Sequence, residues 1–131
     1  MSSIFSRIIV GDIPCHKVAE NENCFAFMDI APLAVGHVLV VPKEEVDRYF
    51  DLSDKQLSEL NLFAKKIAFA IEQVVPCKRV GVAVIGLEVP HAHIHLVPLN
   101  SVSDINFERE KLDLSNEKLA DVAELIRGAL N

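Results

Sequence analysis

The segment His91-Ala92-His93-Ile94-His95-Leu96-Val97 constrains this chain more than any other. Histidine alternates with an apolar residue at a period of two, which is the period of a β-strand; a helix would turn the second histidine away from the first and third. On a strand, His91, His93 and His95 share one face, while Ala92, Ile94 and Leu96 share the other. The apolar face needs a core beneath it. A strand of this kind belongs in a sheet, because an isolated strand or lone hairpin is at best marginal in water.

The rest of the chain supplies that sheet and its cover. His16 to Glu20 and Cys24 to Asp29 read as strands joined at Asn21-Glu22-Asn23, where asparagine tolerates left-handed backbone. His37 to Val41 is a β-branched run stopped by Pro42, and Arg79 to Ile85 is another strand. Ser53 and Gln56 form the signature of a capping box. After them Leu57, Leu60, Ala64, Ile67, Ile71 and Val74 recur at helical spacing, until Pro76 ends the helix. Ser2 to Val10 reads as a short helix stopped by Gly11. Ser115 opens a last one with Leu119, Val122, Ala123, Ile126 and Ala129 facing inward. The predicted class is α+β: one antiparallel sheet of about five strands with helices on one face.

Length and composition fit one domain over residues 1–131. Half of the residues are hydrophobic and 24% are charged, which excludes general disorder. The net charge of −6 argues against a nucleic-acid polymer or an anionic membrane as partner. No apolar run reaches the ~20 residues of a membrane-spanning helix. The start of the chain does not read as a signal peptide. Three cysteines without paired spacing suit free thiols in a reducing compartment, so the cytoplasm is the expected location.

Three readings of the histidine row compete. A merely solvated face is a poor explanation for three histidines in register. A metal site suits His-x-His on a strand. Against it, the first and third positions lie about 13 Å apart along the backbone. Nucleophilic attack on phosphorus needs no metal: a neutral imidazole is a good nucleophile near neutral pH, and its neighbours supply hydrogen bonds to phosphate oxygens.

The segment resembles the His-φ-His-φ-His-φ-φ signature of the histidine triad (HIT) superfamily. Phe27-Met28-Asp29-Ile30 and Gly36-His37-Val38-Leu39-Val40-Val41-Pro42-Lys43 are similar to two upstream segments of the same family, in the same order. The resemblance covers roughly residues 4–98 and suits the Hint-like or bacterial branch. The tail beyond it, with a helix over about 115–130, also resembles bacterial members.

The resemblance implies an enzyme that attacks the α-phosphate of a nucleotide through a covalent nucleotidyl-histidine intermediate. The expected activity is that of a purine nucleoside phosphoramidase or a dinucleoside polyphosphate hydrolase. By position His93 is the nucleophile, His95 bonds the phosphate or bridging atom, His91 orients its neighbours and His37 lies close by. Asp29 matches the acid that accepts from the ribose hydroxyls, an apt role for a two-oxygen carboxylate. Phe5, Ile8, Phe27 and Ile30 match positions around the base, and Gly86 and Glu88 fall in the phosphate loop. The family's homodimer, its two sheets joined edge to edge and the long helix in the interface, is the expected assembly. No cofactor is expected.

Two departures carry weight. The phosphate loop reads Gly86-Leu87-Glu88-Val89-Pro90-His91, with a carboxylate where relatives place a hydroxyl. That departure supports an alternative function, a nucleotide-binding regulatory module with weak or vestigial catalysis. Ser3 and Ser6 stand where many bacterial relatives carry a zinc-binding Cys-x-x-Cys, and Glu44-Glu45 where they often carry a histidine. Serine is a poor zinc ligand, so no metal is expected.

Overall fold

The computed structural model describes residues 2–130. The element order is α1 (Ile4–Ile9), β1 (Lys17–Glu20), β2 (Cys24–Met28), β3 (Val38–Pro42), α2 (Asp54–Val74), β4 (Arg79–Ala83), β5 (Ile94–Leu99) and α3 (Asn116–Ala129). The five strands form one sheet in the order β1-β2-β3-β5-β4, and every neighbouring pair is antiparallel. The α+β architecture is therefore the one the sequence predicts.

Alternation sorts each inner strand onto two faces. Ala26, Met28, Val38, Val40, Ile94 and Leu96 share one cluster with Leu60, Ile67 and Ile71 of α2 and Leu119, Val122 and Ile126 of α3. Ile67, Ile71, Ile94 and Ile126 are fully buried there. Removing each such side chain from water contributes about 1.5–3 kcal/mol. Phe25, Phe27, Leu39 and Val41 point the other way and form a second cluster with Phe5. Pairing carries this face across the sheet: Phe27 lies opposite Leu39, Leu39 opposite His95, and His95 opposite Ala83.

The predicted elements are present, with two differences. The Ser53–Gln56 capping box starts α2, and Ser115 caps α3. The sequence expectation put all helices on one face; α1 packs on the other, because Phe5 joins the aromatic cluster instead of the helical core. The strand predicted from His91 begins its ladder only at Ile94 and runs on to Leu99. The cause is local: Ala92 N–H bonds the Val46 carbonyl and the His91 carbonyl accepts from a side chain, so neither serves a neighbouring strand. Among the described residues no helix is long and apolar enough to cross a membrane.

Candidate active site

The site lies where β5 and its lead-in His91–His93 meet the end of β2, the start of β3 and α1. His37, His91, His93 and His95 are all at most 9% exposed, an unusual density of buried imidazole. The sheet lines them up, since the ring centres of His93 and His95 are 4.9 Å apart and those of His37 and His95 are 5.2 Å apart. His37 is brought in by a loop that closes on itself. Its amide bonds the Ala34 carbonyl, its carbonyl accepts from Asp29 N–H, and the turn passes through Gly36 at φ +97°. A Cβ at Gly36 would lie 2.9 Å from Val75 Cγ2, so both backbone and space demand glycine.

The hydrogen bonds fix which nitrogen of each ring carries the proton. A carbonyl or an N–H has only one role, and a neutral imidazole has one donor and one acceptor. His93 Nδ1 lies 2.7 Å from the His91 carbonyl, so Nδ1–H donates and Nε2 keeps a lone pair. Leu33 N–H donates to His37 Nδ1 at 3.0 Å, so His37 carries its proton on Nε2. That proton points at His95 Nδ1, 3.0 Å away, with Asp29 Oδ2 a longer neighbour at 3.5 Å. His95 Nδ1 therefore accepts and His95 Nε2–H is a donor. The row thus offers one lone pair on His93 and one N–H on His95, on adjacent rings.

Burial keeps these rings neutral. It pushes His37 down to about 4 and, with the neighbouring His93 and His37, His95 down to about 3. His93 is lowered by burial too, with its bond to the His91 carbonyl opposing the shift. Asp29 moves up, because burial disfavours its charge more than the Ala31 N–H and the nearby Lys111 favour it; Glu88 adds in the raising direction.

Asp29, His37 and His95 each offer one atom, all within 4.8 Å of one another, a spacing that would admit a metal ion. The hydrogen bonds oppose it. A metal on His37 Nε2 would move the proton to Nδ1, which already faces Leu33 N–H, setting donor against donor.

Comparison with known proteins identifies the family. Residues 10–102 match the model of the HIT domain family. The chain is a member of the HIT family. An adenosine 5′-monophosphoramidase of Schizosaccharomyces pombe is 40% identical over 100 residues, which is 75% of this chain and 74% of the relative. A HIT-like protein of Borreliella burgdorferi is 34% identical over 128 residues, 92% of each chain. Among solved structures, a Hit-like protein of Bartonella henselae superposes with a TM-score of 0.84 at 30% identity, covering 98% of this chain and 97% of the other.

Within this HIT domain the residues singled out from the sequence fall in different places. His37, His93, His95 and Asp29 come together. His91 stands one step back: its Nε2–H donates to the Pro42 carbonyl at 2.8 Å, and it reaches the others through its own carbonyl. Phe5 and Phe27 are buried against each other with ring centres 5.4 Å apart, and Phe5 meets His93 edge-on at 5.0 Å. Ile8 is half-buried beside them. Ile30 is 72% exposed beyond Asp29, and Gly86 and Glu88 lie in an exposed loop with Gly86 at φ +73°.

Sequence reasoning missed Ser3, which bonds His91, and Phe107, whose ring sits 4.6 Å from His95 and 6.1 Å from His37. Phe107 belongs to the segment between β5 and α3. That segment is pinned back by Leu112 N–H on the Pro32 carbonyl and by Arg109 on the Leu33 carbonyl. The available signal was a lone aromatic residue in the segment between β5 and α3.

Proposed function

We propose that this HIT domain is a nucleotide hydrolase that cleaves a leaving group from the α-phosphate of an adenine nucleotide, in the manner of a nucleoside phosphoramidase. One observation carries the reading: the His91 carbonyl accepts a hydrogen bond from His93 Nδ1–H and leaves a buried, neutral Nε2 as nucleophile. The Nε2 lone pair forms a bond to phosphorus as the bond to the leaving group breaks. His95 Nε2–H donates to the leaving or bridging atom. The His95 Nε2 proton passes to the leaving atom; His95 Nε2 then takes a proton from the attacking water as the P–Nε2 bond of His93 breaks, which releases the nucleoside monophosphate and returns both rings to their starting forms. Asp29 accepts from the ribose hydroxyls through Oδ2, since Oδ1 already accepts from Ala31 N–H. Phe5, Ile8, Phe27 and Ile30 surround the base. The name of the S. pombe relative supports adenosine phosphoramidate as the substrate class.

The active form in this reading is a homodimer. The open edge of β4, the exposed Val82 beside it and the exposed Leu62 and Phe69 of α2 suit a second copy.

The test is hydrolysis of adenosine 5′-phosphoramidate by wild type and His93→Ala, each with and without chelator. Turnover that resists chelator and disappears in the variant is expected, with adenylate on His93 after quenching in denaturant at alkaline pH. Turnover that survives in His93→Ala would overturn the assignment. The exposed Glu88, whose charge acts on both Asp29 and His93, favours one alternative, a binding module. Tight binding of adenosine monophosphate without turnover of any phosphoramidate would select it.

A further inference from the structure

His91 is fully buried and touches no point where substrate binds in the reading above, yet both of its ring nitrogens are held. Nε2–H donates to the Pro42 carbonyl at 2.8 Å. In the neutral imidazole Nδ1 is then an acceptor, and Ser3 Oγ lies 2.7 Å from it. The hydroxyl has one proton, and the shortest contact takes it: Ser3 Oγ–H donates to His91 Nδ1. Its lone pairs accept from Ser6 N–H at 3.0 Å as the cap of α1. Ser3 is itself 6% exposed, so this bond is shielded from water.

A carboxylate on the surface holds the serines in place. Glu45 Oε1 accepts from Ser3 N–H at 2.6 Å and from Ser6 Oγ–H at 2.7 Å. Bonds to an ionised acceptor are about twice as strong as neutral ones. The start of α1 is thus tied to the segment after β3 and to the lead-in of β5 through two serines, one acid and one imidazole. Phe5 rides on the same helix and presses edge-on against His91 and His93, with ring centres 5.8 and 5.0 Å away.

We propose that Ser3, held by Glu45, is a positioning residue for the nucleophile and acts through His91. By fixing the His91 ring at Nδ1 it fixes the peptide whose carbonyl selects the His93 tautomer. The proposal rests on the nucleophilic role assigned to His93. Loss of the Ser3 hydroxyl removes the 2.7 Å donor and leaves near this buried acceptor only Ser6 Oγ, 3.4 Å away with its proton committed to Glu45; the ring regains a full bond only by turning. The His91 carbonyl then drifts from His93 Nδ1, and the lone pair on Nε2 is no longer guaranteed. The Ser3 hydroxyl itself touches only Ser6 and His91, none of the residues assigned to ribose or base.

The experiment compares wild type, Ser3→Ala, Ser3→Thr and Glu45→Ala by steady-state kinetics and by long-range proton–nitrogen NMR correlation of the histidine rings. Wild type should show His93 as a single tautomer protonated at Nδ1. Ser3→Ala should show mixed His93 tautomers and a roughly tenfold fall in kcat at unchanged KM, as expected for a misplaced reacting group. Ser3→Thr keeps the hydroxyl and should restore both. Glu45→Ala removes only an exposed side chain and should give a smaller fall, about threefold, in the same direction. A single wild-type-like His93 tautomer with unchanged kcat in Ser3→Ala would overturn the proposal. If Ser3→Ala does not fold, an unchanged His93 spectrum and kcat in Glu45→Ala would do the same. If wild type turns over no phosphoramidate, the catalytic reading fails by itself, and the tautomer spectra still decide whether Ser3 governs His93.

Discussion

On one face of the sheet Ile94 and Leu96 are buried in a cluster with Ile67 and Ile71; on the other, His93 and His95 are buried beside Phe5, Phe107 and each other. The same strand feeds both faces, and both exclude water almost completely. They differ in what burial demands. The helical face needs only volume and apolar surface, so its energy is spread over many interchangeable contacts. The imidazole face needs each nitrogen matched to a partner of the right kind, and one wrong proton unsettles its neighbour. The helical face therefore gives the molecule its stability, while the imidazole face gives it a defined chemical polarity.

Substitutions should separate these two roles. His93→Ala should lower turnover of adenosine phosphoramidate about a thousandfold or more while leaving the thermal midpoint nearly unchanged. An equally large loss of stability would mean that both faces carry the fold. On the opposite side of the same strand, Ile94→Ala should cost about 2–5 kcal/mol in chemical denaturation, with kcat per folded molecule close to wild type. A parallel collapse of kcat would show that the faces are not separable.

Acid should attack the imidazole face selectively. His37 and His95 are neutral when folded, with pKa values pushed to about 4 and about 3, but titrate near 6.5 when unfolded. The unfolded chain therefore takes up protons first. Their contribution is complete above pH 6.5 and is lost as pH falls from there towards the folded values. By linkage, stability should drop by roughly 2 kcal/mol or more between pH 7 and pH 5, and mutating His37 to Gln should flatten that slope. The lowered value at His93 likewise places the acid limb of kcat/KM below pH 6.5. A limb above that value would mean that a different group is titrating. The smallest effect is expected at the rim: Asp29→Asn should raise KM about tenfold through weaker bonds to the ribose hydroxyls. It should also erase the preference for adenosine over its dideoxy analogue, and undiminished preference would remove Asp29 from the ribose site.

Most of the helical face was legible in the sequence, because periodicity reports burial against a helix directly. Leu60, Ile67 and Ile71, the Ser53–Gln56 capping box and the Ser115 cap all follow from local spacing. The alternation at His91–Val97 likewise placed the histidines on one face and the core residues on the other. The fixing of the protons was not legible. It depends on backbone groups of Leu33, Pro42 and His91, and backbone groups are the same at every position of a sequence. The place of α1 was hidden for a related reason: spacing alone reads Phe5 and Ile8 as ordinary core, only the resemblance sets them around the base, and the structure puts Phe5 in the aromatic cluster under His93. Ser3 stood out only as the replacement of a cysteine carried by relatives, and its partner stands 88 positions away.

The bond from Leu33 N–H to His37 Nδ1 sets the direction of the whole His37–His95 pair, and its donor belongs to no side chain. Replacing Leu33 with alanine would leave this instruction intact and would not register its existence. It is written in the path of the loop. Among replacements of Leu33 itself, the one that erases it is proline, which has no N–H to give. The direction in which this site passes hydrogen is thus stored in a form that most genetic change cannot touch.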